Sequence, residues 1–208
     1  AQSPQPPVLT GVHLARPQLP STSPLPVVPG VPTLAAGPTV PTTPMVPVAP
    51  LSPAATPAQA LPVAGQVVAG QASIATAGPA ATPTMTIHQT SERAAIDWQR
   101  FDVGQQARVH FVQPGLDSVT LNRVQAGQPS QIFGHIQANG QVFLTNPDGV
   151  YFAPGARDDV GGLVATTHRI GVEDFMAGRL RFEREGATGS VINAGSLEAR
   201  LGGYVALL

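Results

Sequence analysis

The 208-residue chain has a formal net charge of −1, from 11 basic and 12 acidic side chains, and it contains no cysteine. A near-neutral charge of mixed sign argues against the class of nucleic-acid-binding proteins, and the lack of cysteine excludes a disulfide framework. No run of 18 or more apolar residues is present, so the sequence predicts no membrane-spanning helix.

Residues 1–62 form a proline-rich segment. Residues 1–84 contain 19 of the 23 prolines and a single charged side chain, Arg16. Proline removes a backbone donor and biases the preceding residue toward extended conformations. The composition predicts a disordered or polyproline-like spacer over residues 1–62, with a docking segment for a proline-recognising partner as the alternative. The start, Ala1-Gln2-Ser3-Pro4, is typical of a mature product that has lost its signal peptide.

A first group of short strands is predicted between residues 63 and 101. Residues 63–74 give two apolar runs separated by small residues, residues 85–89 alternate, and residues 94–98 resume after a polar turn. Trp98 and Phe101 are predicted to be buried packing at the end of a core.

Alternation becomes regular after Gly104. Residues 108–112 and 118–124 alternate between apolar and polar residues. The period predicts that Val119 and Leu121 face inward, and that Val124 does so beyond a bend at Asn122. A further strand follows at residues 131–136.

Asn-Gly and Gly-Gly pairs separate the next strands. Asn139-Gly140 predicts a reversal. Asn146-Pro147-Asp148-Gly149 predicts a tight turn, because Asn accepts local backbone hydrogen bonds, Pro presets φ and Gly takes φ > 0. A strand restarts at Val150.

The same order of residues returns near the end of the chain. Asn193 to Ala199 and then Gly202-Gly203 repeat the order of Asn146 to Ala153 and then Gly161-Gly162. Such a repeat predicts a solenoid with coils of roughly 20 residues or more that stack to form one core. An antiparallel β-sandwich is the alternative fold.

Residues 168–190 break this rhythm. Residues 173–177 predict a short helical turn, so the segment is interpreted as an insertion between coils. Arg179, Arg181 and Arg184 alternate with Glu183 and Glu185, which predicts a solvated edge rather than a phosphate-binding surface.

The ionisable residues match no catalytic spacing such as His-Glu-x-x-His or Gly-x-Ser-x-Gly. His110 and His135 are predicted to face outward, and Asp158-Asp159 to lie in a solvated turn, with a calcium pair as the alternative. We therefore predict no enzyme, no metal and no cofactor. The candidates weighed were His88, His110, His135, His168, Asp97, Asp117, Asp158 and Asp159.

Five separated segments resemble the two-partner secretion (TPS) domain of filamentous haemagglutinin-like exoproteins, and they occur in the same order as in that family. The segments are residues 65–72, 95–103, 121–124, 129–134 and 139–149. The resemblance covers residues 63–208 and is closest to the high-molecular-weight adhesin type, since no asparagine-proline-asparagine-leucine motif is found. It implies an all-β fold: a right-handed parallel β-helix with an N-terminal β cap and extra-helical strands.

The resemblance also implies a function. The domain would be the N-terminal secretion signal of a large exoprotein, recognised in the periplasm by POTRA domains of a TpsB transporter and exported through the outer membrane of a Gram-negative bacterium. The downstream cargo would meet host-cell surface molecules, and the partners would include no nucleic acid.

The family's asparagine-proline-asparagine-glycine motif maps onto the turn with Asp148 in place of an asparagine. The implied recognition or turn motif is Asn146, Pro147, Asp148 and Gly149. The implied structural motif is Trp98, Asn122, Arg123, Asn139, Gly140, Gly161 and Gly162.

Two other functions remain as alternatives. An adhesive or ligand-binding module acting directly on a host surface would use exposed aromatic residues, for which Tyr151, Phe152 and Tyr204 are the candidates. A structural fragment of a longer solenoid is the other, because the apolar strand at residues 204–208 would leave an open edge and predicts a longer natural polypeptide.

Overall fold

The computed structural model describes residues 56–125 and 127–208, so residues 1–55 of the spacer predicted over residues 1–62 lie outside the described part of the chain. The described residues form fifteen strands and one short helix. The strands are β1 (Gln66–Ala69), β2 (Ala72–Ala77), β3 (Thr84–Gln89), β4 (Arg93–Trp98), β5 (Arg108–Val112), β6 (Val119–Val124), β7 (Ser130–Ile132), β8 (His135–Ala138), β9 (Gln141–Thr145), β10 (Val150–Phe152), β11 (Arg157–Val160), β12 (Gly162–Thr166), β13 (Val191–Asn193), β14 (Ser196–Ala199) and β15 (Val205–Leu207). The helix is α1 (Val172–Met176), and no helix of the described part is long and apolar enough to cross a membrane.

The strands belong to three sheets. Sheet A has the order β1-β4-β6-β9-β12-β15, sheet B the order β13-β10-β7, and sheet C the order β14-β11-β8-β5-β3-β2. From β5 onward the chain visits sheets C, A and B in turn, and each strand pairs in parallel with its equivalents in neighbouring coils. The complete coils are β5–β7, β8–β10 and β11–β13. The predicted parallel β-helix is therefore confirmed, and the β-sandwich alternative is wrong.

A β cap covers the first coil. Strand β1 pairs with β4, and β2 with β3, in the antiparallel sense, whereas every later strand pair is parallel within the described residues. Leu61 and Ile74 pack against the end of the core. The amides of Gln106 and Gly104, between β4 and β5, donate to the carbonyl oxygens of Ala58 and Ala60 at 2.8 and 2.9 Å, so contacts with the solenoid begin before the predicted boundary at residue 63.

The core lies inside the coils. Inward positions alternate with outward ones along each strand, and the inward apolar side chains of successive coils stack on one another. Removing each large apolar side chain from water stabilises the fold by about 1.5–3 kcal/mol. The largest fully buried members of this cluster are Trp98, Phe101, Phe111, Phe152, Ile87, Ile96, Ile132, Ile136 and Leu144.

Sheet A has a second apolar cluster on its outer face. Val119 and Leu121 belong to it, together with Phe143 of the neighbouring strand. The prediction that Val119 and Leu121 face the interior is wrong, and the polar Thr120 and Asn122 occupy the inward positions instead. The period of two fixed the alternation, but it did not decide which set of side chains faced inward.

The excursion between β12 and β13 explains why this outer face is apolar. It contains α1 and a short antiparallel bridge between Arg169 and Glu183. Phe175 of α1 is fully buried, its ring 6.1 Å from that of Phe143. The guanidinium of Arg93 lies over the Phe175 ring at 5.4 Å. The predicted insertion with a short helical turn is confirmed, and it serves as a lid on sheet A.

We expect Ile170→Val to lower the free energy of unfolding by about 1 kcal/mol, because it removes one methylene from the contact between the excursion and sheet A. Ile170 is 2% exposed. Ile192→Val makes the same chemical change at a residue that is 42% exposed, and it should have almost no effect. Urea unfolding followed by the emission of Trp98, the single tryptophan, measures both. Equal losses would show that the excursion does not pack as described.

Candidate functional site

The predicted tight turn joins β9 of sheet A to β10 of sheet B. The Gly149 amide donates to the carbonyl oxygen of Asn146 at 3.0 Å, and the Asp148 amide donates to Asn146 Oδ1 at 3.0 Å. Gly149 has a φ of 119°, which an L residue rarely adopts. The turn predicted for these four residues is confirmed, and its hydrogen bonds form within the motif itself.

The turn is also tied to the preceding coil. The Asn146 side chain is fully buried, and its Nδ2 donates to the carbonyl oxygen of Gln128 and to Ser130 Oγ, both at 3.0 Å. Asp148 Oδ2 accepts a hydrogen bond from the Gly127 amide at 2.6 Å. The buried Asn146 side chain therefore bonds polar groups of two coils at once, which an apolar side chain of similar size cannot do.

The following coil closes over the same turn. The Gly189 amide donates to the Pro147 carbonyl oxygen at 3.1 Å, and a Cβ on Gly189 would overlap the backbone of Asp148. The Val150 amide donates to the Ser190 carbonyl oxygen at 3.1 Å. The turn is thus enclosed between coils, with Pro147 and Asp148 half-buried.

Arg123 lies beside this turn. It makes a bidentate ion pair with Asp97 of the preceding coil, with nitrogen to oxygen distances of 2.7 and 2.8 Å. Both side chains are about one quarter or less exposed, which makes the pair stronger than a fully solvated one. Arg123, Thr145 and Pro147 line a small recess of about 50 Å³.

Trp98 and Asn122 meet in the solenoid interior. Trp98 Nε1 donates to Asn122 Oδ1 at 3.0 Å, and Asn122 Nδ2 donates to the Phe143 carbonyl oxygen at 3.2 Å. The Phe101 ring packs edge-on against Trp98 with the centroids 5.5 Å apart. These residues join three successive coils and present no recognition surface.

Asn139 and Gly140 form a corner between sheets C and A. The strands on either side, β8 and β9, belong to different sheets, so the predicted reversal is wrong. Asn139 Oδ1 accepts from the Gln113 amide and Nδ2 donates to the Gln113 carbonyl oxygen, both at 2.7 Å. A Cβ on Gly161 would lie 2.6 Å from the Gly140 carbonyl oxygen, so backbones of successive coils are in close contact here. Gly162 packs under the Tyr204 ring, which a Cβ on Gly162 would approach to 3.1 Å.

The corner residues Asn139 and Gly140 and the turn residues 146–149 lie at opposite ends of β9 and do not form one patch. The corner stands at the start of this strand and the turn at its end. The repeat seen in the sequence is shifted in space, because Asn193 pairs with Phe152 rather than standing level with Asn146.

A buried polar network was missed by sequence reasoning. Gln113 Nε2 donates to Thr120 Oγ1 at 3.0 Å, and Thr120 Oγ1 donates to Gln89 Oε1. All three side chains are at most 5% exposed. The sequence did contain a signal for this network. Gln89 and Gln113 each stand at an inward position of the alternation, where the preceding inward positions are apolar.

Asp158 is the second missed feature. It lies within β11 rather than in a solvated turn, and it is 1% exposed between Ile136 and Leu197 of the neighbouring strands. Neither carboxyl oxygen has a hydrogen-bond partner within 3.5 Å in the described part of the chain. Burial raises the pKa of Asp158 to about 8.

The other ionisable side chains are dispersed. His110 is exposed and His135 is partly exposed, both on the outer face of sheet C as predicted. Across residues 56–125 and 127–208, no three His, Asp or Glu side chains come together in a way that would hold a metal ion.

Comparison with known families decides the identity. The TPS secretion domain family matches residues 58–208, most of the chain and nearly all of its described part. The chain belongs to the TPS secretion domain family. The resemblance found in the sequence is thereby confirmed, and the match begins five residues before the boundary that the sequence predicted.

Relatives and a solved structure support this assignment. The secretion domain is 41% identical over 143 residues to a heme/hemopexin-binding protein of Haemophilus influenzae, covering 67% of this chain and 15% of that protein. A second Haemophilus influenzae heme/hemopexin-binding protein is 52% identical over 83 residues, covering 40% of this chain and 9% of that protein. The crystal structure of the HMW1 secretion domain from Haemophilus influenzae matches with a TM-score of 0.61 and 30% identity, covering 65% of this chain and 36% of that one.

The family fixes the general role of the secretion domain. It directs export of an exoprotein from a Gram-negative cell through a cognate outer-membrane transporter, and the family is not a class of enzymes. The chain spans about one seventh of the length of the first of these heme/hemopexin-binding relatives.

Proposed function

We propose that periplasmic POTRA domains of the TpsB transporter recognise this secretion domain before its coils stack, and that stacking at the cell surface then starts outward folding. The observation that supports this is the sequence separation of paired strands. Gln141 of β9 pairs with Val119 of the preceding coil and with Gly162 of the following one. A coil that has not yet stacked therefore keeps its strand edges unpaired.

Unpaired strand edges are suited to β-augmentation. A partner that adds a strand to such an edge gains main-chain hydrogen bonds, while side-chain pockets supply specificity. In the folded domain β13, β14 and β15 each pair on one side only, as judged from the described residues. The same edges would accept either a transporter strand or the next coil, so stacking and transporter binding compete.

The turn at Asn146 to Gly149 has a part in both the unstacked chain and the stacked solenoid. Its internal hydrogen bonds form locally and can exist in an unstacked chain. Its other bonds, from Asn146 to Gln128 and Ser130, require the preceding coil. We propose that this turn sets the register of β9, first for the transporter and then for the finished solenoid.

The free energy of stacking outside the cell favours outward movement of the chain. Each added coil buries apolar strand faces against the completed edge, and this burial is worth about 25 cal/mol for every Å² removed from water. Folding outside the cell therefore opposes backward movement of the chain without a nucleotide.

We expect Asn146→Ala to reduce transporter-dependent export and to lower the free energy of unfolding by about 2 kcal/mol, because it removes a buried side chain that bonds polar groups in two coils, among them the buried Ser130. The matched control is Asn193→Ala. Asn193 Oδ1 also accepts a local bond, from the Gly195 amide at 2.9 Å, but its side chain is exposed. The measurements are the amount of secreted chain with and without the cognate transporter, and urea unfolding.

Binding to purified periplasmic transporter domains separates recognition from folding. A dissociation constant weaker than about 1 mM would argue against direct recognition. Normal export of Asn146→Ala would show that the turn has no part in export. Equal export in cells lacking the transporter would contradict the function itself.

We further propose that contacts with host-cell molecules are made by the cargo and not by this domain. What supports this is the small share of the heme/hemopexin-binding relatives that the domain spans. Comparing the isolated domain with the full exoprotein for binding to host cells tests it, and equal binding would favour the adhesive alternative.

A further inference from the structure

The outer face of sheet C carries three basic side chains in one column. Arg108 of β5 pairs in register with His135 of β8, and His135 with Arg157 of β11. Both arginines are exposed and His135 is partly exposed. We call these three residues the basic column. They are 27 and 22 residues apart in sequence, and only the coil register brings them together.

The basic column has no counter-ion among the described residues. No carboxylate lies within 4 Å of the guanidinium of Arg108 or Arg157 in this part of the chain, although other arginines, such as Arg181 with Glu183 at 2.9 Å, are paired. Like charges close together on a sheet destabilise it, and Arg108 and Arg157 stand on either side of His135. A purely structural surface would be expected to alternate the charges here.

Nearby carboxylates do not neutralise the column. Asp159 contacts Arg200 at 3.7 Å, and Glu198 accepts a hydrogen bond from Ser196 Oγ at 3.3 Å. Asp158 points into the interior, on the opposite face of the same strand. Carboxylates are thus within the same part of the sheet, yet they leave the two arginines unengaged.

A cavity of about 280 Å³ lies over the column. All three basic residues line it, together with Gln137, Ser196 and three acidic residues, Asp158, Asp159 and Glu198. The backbones of adjacent strands are about 4.8 Å apart, so the Cα atoms of Arg108 and Arg157 lie about 10 Å from each other, on either side of His135. Two guanidinium forks and a ring N–H can converge there on one compact group with several acceptor oxygens.

The pKa of His135 responds to the charges of the two arginines. Burial, followed by the charges of Arg108 and Arg157, lowers the pKa of His135 from its usual value. His135 faces Arg108 on one neighbouring strand and Arg157 on the other, with neutral Gln137 next along its own face. An anion bound to the arginines would reverse their contribution and favour the protonated ring.

We propose that the basic column is an oxyanion site that binds a phosphate or sulfate group between Arg108 and Arg157, with His135 as the central donor. A tetrahedral oxyanion offers acceptors to several donors at once, whereas a single carboxylate is satisfied by one guanidinium fork. The site is independent of the proposed recognition by the transporter, because it exists only after three coils have stacked.

The test is an NMR titration of the histidine ring signals with inorganic phosphate at pH 6 and constant ionic strength. We expect saturable shifts of His135, an increase in its pKa, and little change at His110, which lies on the same face of β5 as Arg108. Arg108→Gln and Arg157→Gln should each weaken binding about tenfold, and the double variant should not bind saturably. Arg181→Gln is the matched control and should bind normally.

Trp98 emission confirms that each variant remains folded. The proposal is overturned if chloride at the same ionic strength produces the same shifts, if all histidines shift together, or if the double variant retains its affinity. A polyglutamate peptide that shifts His135 where phosphate does not would also overturn it, in favour of an acidic protein partner.

Vesicles distinguish the sources of the oxyanion. Phosphatidylcholine vesicles with and without phosphatidic acid are compared in a sedimentation assay. Binding that requires both phosphatidic acid and the two arginines identifies a lipid headgroup as the source. Binding of inorganic phosphate without vesicle binding identifies a soluble phosphate or sulfate group, and loss of both contradicts the site.

Discussion

The Asp158→Asn variant is expected to be more stable than the unchanged domain by about 4 kcal/mol at pH 7. Asp158 is 1% exposed and neither of its oxygens has a partner in the described part of the chain. Burial raises its pKa from 3.8 to about 8. At pH 7 the folded domain must therefore either hold a proton that the unfolded chain has released, or bury a charge.

The direction of the pH dependence follows from this shift. The folded state binds the proton more tightly than the unfolded state, so it is favoured at low pH. The contribution is complete below pH 3.8 and is lost progressively as the pH rises to about 8. Asparagine has nearly the same shape as a protonated aspartate and no charge. Asp158→Asn should therefore keep its free energy of unfolding as the pH rises, and at pH 4 its stability should equal that of the wild type.

The experiment is urea unfolding at pH 4, 6 and 8 followed by Trp98 emission, with Asp159→Asn as the matched control. The Asp159 side chain is 58% exposed and lies 3.7 Å from Arg200, so its replacement should change stability by less than about 1 kcal/mol at each pH. The difference between wild type and Asp158→Asn should widen from pH 4 to pH 8. Parallel stability curves would show that the carboxyl group is solvated in the folded domain.

Asp158 also shows why the sequence did not reveal every buried polar residue. In Arg157-Asp158-Asp159-Val160 the charged residues read as a turn after Pro154-Gly155. In the structure the same residues form β11, because β8 and β14 pair with it on both sides. Pairing with segments many residues away overrides the local preference of aspartate for turns.

Features encoded within a few residues were predicted correctly. The Asn146 turn needs only its own four residues, and the excursion was marked by a break in the alternation. In contrast, the inward and outward faces of β6 depend on a lid that begins more than forty residues later in the sequence. The basic column likewise depends on coil lengths, which the sequence period of roughly 20 residues did not define closely enough to align Arg108 with His135.

The Gly149→Val variant is expected to lose about 4 kcal/mol of stability and most transporter-dependent export. Two effects add at this position. The φ of 119° is strained for any L side chain and most strongly for a β-branched one. A Cβ would also lie 2.8 Å from the Ser190 carbonyl oxygen, which belongs to the segment entering β13 and already accepts the Val150 amide.

Gly155→Val isolates the first effect from the second. Gly155 has a φ of 93°, but a Cβ added there would have no atom within 4 Å, so only backbone strain of about 2 kcal/mol is expected. Urea unfolding and secretion assays on both variants give the contribution of the coil contact as the difference between them. If Gly149→Val costs no more than Gly155→Val, the following coil does not close over the turn. If it costs more but export is unchanged, the contact stabilises the finished solenoid without a part in export.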